Sequence, residues 1–211
     1  MIGHPMADSG DRQGARLEAL WSGEFGQAYV ERNLDAGAER QPFWAKQVRD
    51  LGFESCLEVG CNVGANLQWL AELLGTGNIA GVDVNPGALE VLRDRLPGIE
   101  ARVGTGASLP FDDESFDLVF TAGVLIHIAR DDLEAVMREI VRCARRYVLC
   151  GEYHADQPTE VPYRGEEGAL FKRDYGALYQ ALFPELVLVE RAFLGPDQGW
   201  DDVTVWVFEK R

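Results

Sequence analysis

The sequence predicts an α/β fold: a mostly parallel sheet of seven strands with an antiparallel last strand, covered by helices and preceded by an N-terminal helical cap. Three observations carry that expectation. Short β-rich runs alternate with longer segments of helical period between residues 54 and 152, the pattern of β-α units that feed a parallel sheet. Two later runs, 185–193 and 201–209, flank Gly195, Pro196 and Gly199 and read as an antiparallel pair. A chain of 211 residues suits one domain with an appendage rather than two full domains.

In chain order, residues 1–12 (MIGHPMADSGDR) carry Gly, Pro and Asp without apolar periodicity and read as a loose tail. Residues 13–33 and 39–50 read as helices, with Leu17, Leu20, Trp21, Phe25, Ala28 and Tyr29 at spacings that share a face. They make residues 13–50 the cap and leave 51–211 as the α/β domain. That domain reads as a strand at 54–59, a helix at 64–74, a strand at 78–83, a helix at 86–95 and a strand near 99–103. A strand at 116–121 follows, then a helix at 131–145, whose opening Asp131 and Asp132 suit the positive end of its dipole, and a strand at 146–152. Residues 153–173 hold prolines and glycines with little periodicity, a loop insertion of a length usually kept for function. A short helix near 174–182 leads into the final pair of strands.

Composition excludes several classes. Hydrophobic residues are 46% and charged residues 26%, values of a chain that folds. The run Leu118–Val124, broken by Thr121, is far shorter than the roughly 20 residues of a membrane span. A net charge of −15, from 35 acidic and 20 basic residues, argues against nucleic acid, whose binding relies on basic surface. No basic-then-apolar leader opens the chain, so a cytoplasmic location is expected. Cys56, Cys61, Cys143 and Cys150 lie in apolar segments and His4, His127 and His154 are dispersed; reduced thiols and no metal site are expected.

The most informative stretch is Leu57-Glu58-Val59-Gly60-Cys61-Asn62-Val63-Gly64, where a strand ends in an acid and a glycine-rich turn opens a helix. Gly60 and Gly64 allow backbone to approach a ligand, and Asn62 is the best non-glycine choice for a left-handed residue. Nineteen residues past Gly64, Asp83 ends a second strand, where a carboxylate accepts hydrogen bonds from ribose hydroxyls. A dinucleotide turn would need glycine at 62, and Glu58 would repel a pyrophosphate while suiting an ammonium or sulfonium group. The pattern points to S-adenosylmethionine; a glycine-rich turn that binds nothing is the plainer alternative.

These residues resemble the first motif of the class I S-adenosylmethionine-dependent methyltransferases over about residues 40–152, which implies a Rossmann-like fold. The resemblance implies that Glu58, Gly60, Cys61 and Gly64 line the methionine and ribose and that Asp83 takes the ribose hydroxyls; Asn62, a cofactor-binding candidate in the same turn, stands where the family usually has glycine. The family's adenine-binding acid, about four residues before Leu109-Pro110-Phe111, is Thr105 here, so adenine falls to Thr105, Gly106, Ala107 and Asn85. A narrower resemblance extends over nearly the whole chain after the tail. Glu24-Phe25-Gly26, Tyr29, Arg32-Asn33, Gly60-Cys61-Asn62, Asn66-Leu67 and Gly123–Ile128 carry it, with Glu152-Tyr153, Val161–Gly165, Leu170–Asp174 and Asp201-Asp202. It is similar to the pseudaminic acid biosynthesis-associated methylase group, and to enzymes that cyclise S-adenosylmethionine into azetidine-2-carboxylic acid.

Methyl transfer is an in-line displacement that mainly demands positioning and exclusion of water. His127 follows a strand at the ligand-binding edge and is a candidate base; a structural histidine is the bland reading. Glu152 and Tyr153 begin just after the fifth strand and are further catalytic candidates, Glu152 alternatively serving only loop amides. Tyr163, Arg164, Lys172 and Arg173 are candidates to grip an anionic substrate group, against solvated charge as the alternative. Tyr29, Arg32 and Asn33 lie on the cap, where a helix can close over the methionine half. The tryptophans are expected to serve packing. The expected function is methyl transfer from S-adenosylmethionine to a small biosynthetic metabolite. The rival is a cyclase whose only substrate is S-adenosylmethionine, with methylthioadenosine leaving; an inactive binding partner is a third class.

Overall fold

The computed structural model describes residues 9–34 and 37–211, with side chains described from residue 13. Residues 1–8 of the expected tail, His4 among them, lie outside the described residues. The cap helices are α1 (Ser9–Ser22), α2 (Glu24–Arg32) and α3 (Gln41–Leu51). Two expectations are corrected here. Helix α1 begins at Ser9, inside the stretch read as tail, and the helix read over 13–33 breaks at Gly23. Gly23 has extended backbone angles, and a Cβ on Gly26 would stand 1.7 Å from the Trp21 carbonyl oxygen. The two glycines let α2 fold back tightly on the end of α1, a geometry that apolar periodicity does not report.

The α/β units run β1 (Cys56–Val59), α4 (Leu67–Leu74), β2 (Ile79–Asp83), α5 (Pro86–Arg95) and β3 (Glu100–Val103). They continue through β4 (Phe116–Ala122), α6 (Arg130–Cys143), β5 (Ala144–Glu152), β6 (Thr159–Glu160), β7 (Phe171–Lys172), α7 (Tyr175–Leu182), β8 (Leu186–Leu194) and β9 (Val203–Lys210). The sheet order is β3-β2-β1-β4-β5-β9-β8. Strands β1 to β5 pair in parallel, and β9 runs antiparallel between β5 and β8. The expected seven-stranded, mostly parallel sheet with an antiparallel last strand is thus present.

The region 153–173 is less irregular than expected, because β6 and β7 form a two-stranded ribbon of their own. Val161, Tyr163 and Leu170 pack this ribbon against the core. Runs of two residues are too short for periodicity to reveal.

Strand alternation decides which side chains face which layer. Leu57 and Val59 join the core beneath α6 and α7, with Met137, Ile140 and Tyr179. Cys56 joins Trp44, Leu67 and Phe120 on the other face. Glu58 shares the Cys56 face, so its carboxylate is directed into the layer of α3 and α4. Chain order reverses between β1 and β4, and the crevice beyond their carboxyl ends is where open α/β sheets bind ligands.

Candidate active site

A cavity of about 470 Å³ opens at that crevice. Its floor is the turn after β1. Gly60 has φ +74° and a Cβ there would stand 2.4 Å from Val124, so the turn requires glycine to pass under the loop after β4. Asn62 has φ +46°, the left-handed residue that the sequence anticipates. Gly64 also has a positive φ but lies outside the cavity; its Cβ would meet Leu92 of α5 at 2.5 Å. Gly64 therefore serves helix packing, a correction to its expected place beside a ligand.

Asp83 reaches the cavity from the end of β2. Its two carboxylate oxygens accept from the Asn62 and Asn85 amides, each at 2.8 Å, which orients the group and leaves acceptor capacity free. Burial pushes its pKa up, and the amide bonds oppose that shift. Asn85 lines the cavity, but its Oδ1 caps α5 by accepting from Gly87 and Ala88, and its Nδ2 donates to the Trp21 carbonyl. Thr105, Gly106 and Ala107 also line the cavity.

Glu58 is 3% exposed. Its Oε1 accepts from Asn66 Nδ2 at 2.6 Å, and its buried Oε2 has no hydrogen-bond partner among the described residues. Burial pushes its pKa up to about 8, against the lowering effects of the Asn66 bond and the Arg40 charge. Asn66 Oδ1 in turn accepts from Arg40 Nη1 and Trp44 Nε1. Arg40 stacks over the Trp200 ring at 4.2 Å and donates from Nε to the Gly199 carbonyl. The result is a cation, an acid and an amide interlocked at one end of the cavity. Tyr29 stands beside them, its phenol pushed up to about 12, chiefly by burial. Arg32 and Asn33 also line this end, Asn33 donating to the Tyr29 carbonyl.

His127 is buried, and its Nδ1 lies 2.6 Å from the Ala169 carbonyl oxygen. A carbonyl only accepts, so Nδ1 carries the proton and Nε2 is left as an acceptor. Burial lowers the pKa to about 4, opposed by the Ala169 bond, so the ring is neutral at physiological pH. The ring packs on Trp21 at 4.4 Å and Tyr163 at 5.2 Å, and all three line the cavity with Tyr153 and Arg164.

The cavity does not take in every residue the sequence singles out. Glu152 lies outside it, fully buried, and accepts from the Val124 and Ile126 amides at 3.1 and 3.3 Å. It holds the loop that carries His127, the alternative role that the sequence leaves open for it. Lys172 lies 5.5 Å over the Tyr153 ring, and Arg173 is buried, donating to the Ile128 carbonyl. Neither lines the cavity; Arg173 spends its charge on backbone, where sequence alone suggests a substrate grip. Conversely, Arg40, Asn66, Trp21, Trp200 and Asp201 line it. Asn66 and Asp201 fall in the quoted motifs, whereas Arg40 carries no local signal because its partners are at positions 58, 66 and 199.

A family model described as a methyltransferase domain matches residues 57–149. Demethylmenaquinone methyltransferase of Roseiflexus castenholzii is 30% identical over 167 residues, 70% of this chain and 68% of that one. The chain belongs to the class I S-adenosylmethionine-dependent methyltransferases. Methyltransferase GfsG of Streptomyces halstedii is 39% identical over 95 residues, 42% of this chain but only 33% of GfsG, so the match spans a third of that relative. The crystal structure of Burkholderia thailandensis 1,6-didemethyltoxoflavin-N1-methyltransferase, with bound 1,6-didemethyltoxoflavin and S-adenosylhomocysteine, shares the fold. Its TM-score is 0.72 at 17% identity, covering 99% of this chain and 93% of that one.

The cofactor of this methyltransferase family member is S-adenosylmethionine, and the residues present fit it. The buried, unpartnered Glu58 Oε2 suits an ammonium, and the glycine at position 60 keeps the floor of the cavity clear of side chain. Among the described residues, no helix is long and apolar enough to cross a membrane, and no three His, Cys, Asp or Glu side chains gather as metal ligands.

Proposed function

We propose that this protein transfers the methyl group of S-adenosylmethionine to a small acceptor molecule. The observation that carries the reading is one cavity lined by Asp83, the interlocked Glu58–Asn66–Arg40 set and the neutral His127. In this reading Asp83 accepts from the ribose hydroxyls, and Thr105, Gly106 and Ala107 line the adenine. Glu58 receives the α-ammonium and Arg40 the carboxylate of the methionine half, with Tyr29, Arg32 and Asn33 closing over it from the cap. When bound, S-adenosylmethionine supplies an electrophilic methyl group on a sulfonium. The protein's share is to hold the acceptor in line, exclude water and take a proton from the acceptor at His127 Nε2. The resemblance of the sequence motifs to the pseudaminic acid-associated group favours a biosynthetic metabolite as acceptor.

The test is product analysis by mass spectrometry after incubation with S-adenosylmethionine, with and without a small-metabolite extract. S-adenosylhomocysteine formed only with the extract is the expected result. Methylthioadenosine and azetidine-2-carboxylate formed without it would replace methyl transfer by intramolecular cyclisation.

A further inference from the structure

Trp21, His127 and Tyr163 line one wall of the cavity, backed by Phe25, and Trp21 also meets Tyr29 edge-on at 5.2 Å. Trp21 meets Phe25 edge-on at 5.2 Å and Tyr163 at 6.3 Å, Phe25 meets Tyr163 at 6.1 Å, and His127 lies against both Trp21 and Tyr163. Leu17, Ile126 and Val136 extend the apolar lining. Within this apolar wall two polar atoms stand out. Trp21 Nε1 is buried and donates to nothing among the described residues, an unusual state for a buried N–H. His127 Nε2 is an acceptor because Nδ1 faces a carbonyl. One donor and one acceptor on neighbouring rings, whose centroids are 4.4 Å apart, match a hydroxyl on a flat frame, which donates to one and accepts from the other.

His127 Nε2 is an acceptor, so the methyl-accepting group that faces it must present a hydrogen, as a hydroxyl does.

We propose that the acceptor is a planar aromatic molecule with an ionisable hydroxyl, seated against Trp21 and Tyr163 with that hydroxyl donating to His127 Nε2 and its oxygen accepting from Trp21 Nε1. This rests on the methyl-transfer reading above. The acceptor oxygen forms a bond to the methyl carbon, the carbon–sulfur bond breaks with its electron pair moving to sulfur, and the hydroxyl proton passes to His127 Nε2. The products are an aryl methyl ether and S-adenosylhomocysteine.

The test titrates the protein saturated with S-adenosylhomocysteine with three probes in a calorimeter: 1-naphthol, benzylamine and cyclohexanol. Binding of 1-naphthol below about 1 mM is expected, with the other two weaker. Trp21→Ala should weaken 1-naphthol about tenfold through lost ring contact, and by more than it weakens S-adenosylhomocysteine. Tyr163→Leu is the second variant should the first fail to fold. With S-adenosylmethionine present, His127→Gln should lower the rate of 1-naphthol methylation about a hundredfold or more with little change in KM. Benzylamine or cyclohexanol binding as tightly as 1-naphthol, no 1-naphthol binding, or equal binding to wild type and both ring variants would each overturn the aromatic-hydroxyl assignment. Failure of the wild-type protein to bind S-adenosylhomocysteine at all would instead overturn the methyl-transfer reading.

Discussion

Glu58 is an acid held in a state that a ligand should change. Burial raises its pKa to about 8, so at pH 7 the free protein carries it mostly protonated, and an ammonium placed at Oε2 would favour the carboxylate. Binding of S-adenosylmethionine at pH 7 should therefore release close to one proton. Calorimetry in buffers of different ionisation enthalpy reads that release, and Glu58→Gln should abolish it. Asp83 differs, since two amide donors already fix its geometry. Asp83→Ala should weaken S-adenosylmethionine by about 1–3 kcal/mol through lost charge-assisted hydrogen bonds, and unchanged affinity would remove the ribose from that position. His127, with its pKa near 4, should contribute no inflection to the pH–rate profile between 6 and 8. Asp83, Asn62 and His127 were legible in sequence because each is tied to a strand end or a turn. Arg40 was not, since its partners Gly199 and Asn66 lie far along the chain; for Glu152 the sequence offered both proton transfer and a hold on loop amides, and the fold places the Val124 and Ile126 amides at its carboxylate.

At the level of elements, the turn between β1 and α4 contains two glycines with separate duties. Gly60 clears the cavity floor, whereas Gly64 lets the turn lie against Leu92 of α5. Gly64→Ala should cost about 1–3 kcal/mol in urea denaturation, from left-handed strain plus the Leu92 contact. Cofactor affinity should be nearly unchanged, and a fall in affinity without loss of stability would place Gly64 at the ligand after all. Most strands of the main sheet were readable as short β-rich runs alternating with helical periods, several of them ended by a Gly or Asp such as Gly60, Asp83 and Gly123. The β6–β7 ribbon and the break at Gly23 were not, because a two-residue strand has no period and a close helix–helix turn is set by which backbone atoms touch.

For the molecule as a whole, ligand binding and folding are one equilibrium. S-adenosylhomocysteine at about a hundred times its Kd should stabilise the fold by about 2.7 kcal/mol, raising Tm by roughly 5–11 °C for a chain of this size. Thermal melts with and without the ligand measure it, and the Asp83→Ala variant should show a smaller shift at the same concentration. The position of β9 has a consequence for how the protein is made. It lies between β5 and β8, and both of its neighbours leave the ribosome before it does. Until Val203–Lys210 is synthesised, the hydrogen-bonding edges of β5 and β8 have no strand to join them, and the nascent chain carries two open borders that invite pairing with other chains. The strand that seals the sheet is made after both of its neighbours, so the sheet closes only once Val203–Lys210 has emerged.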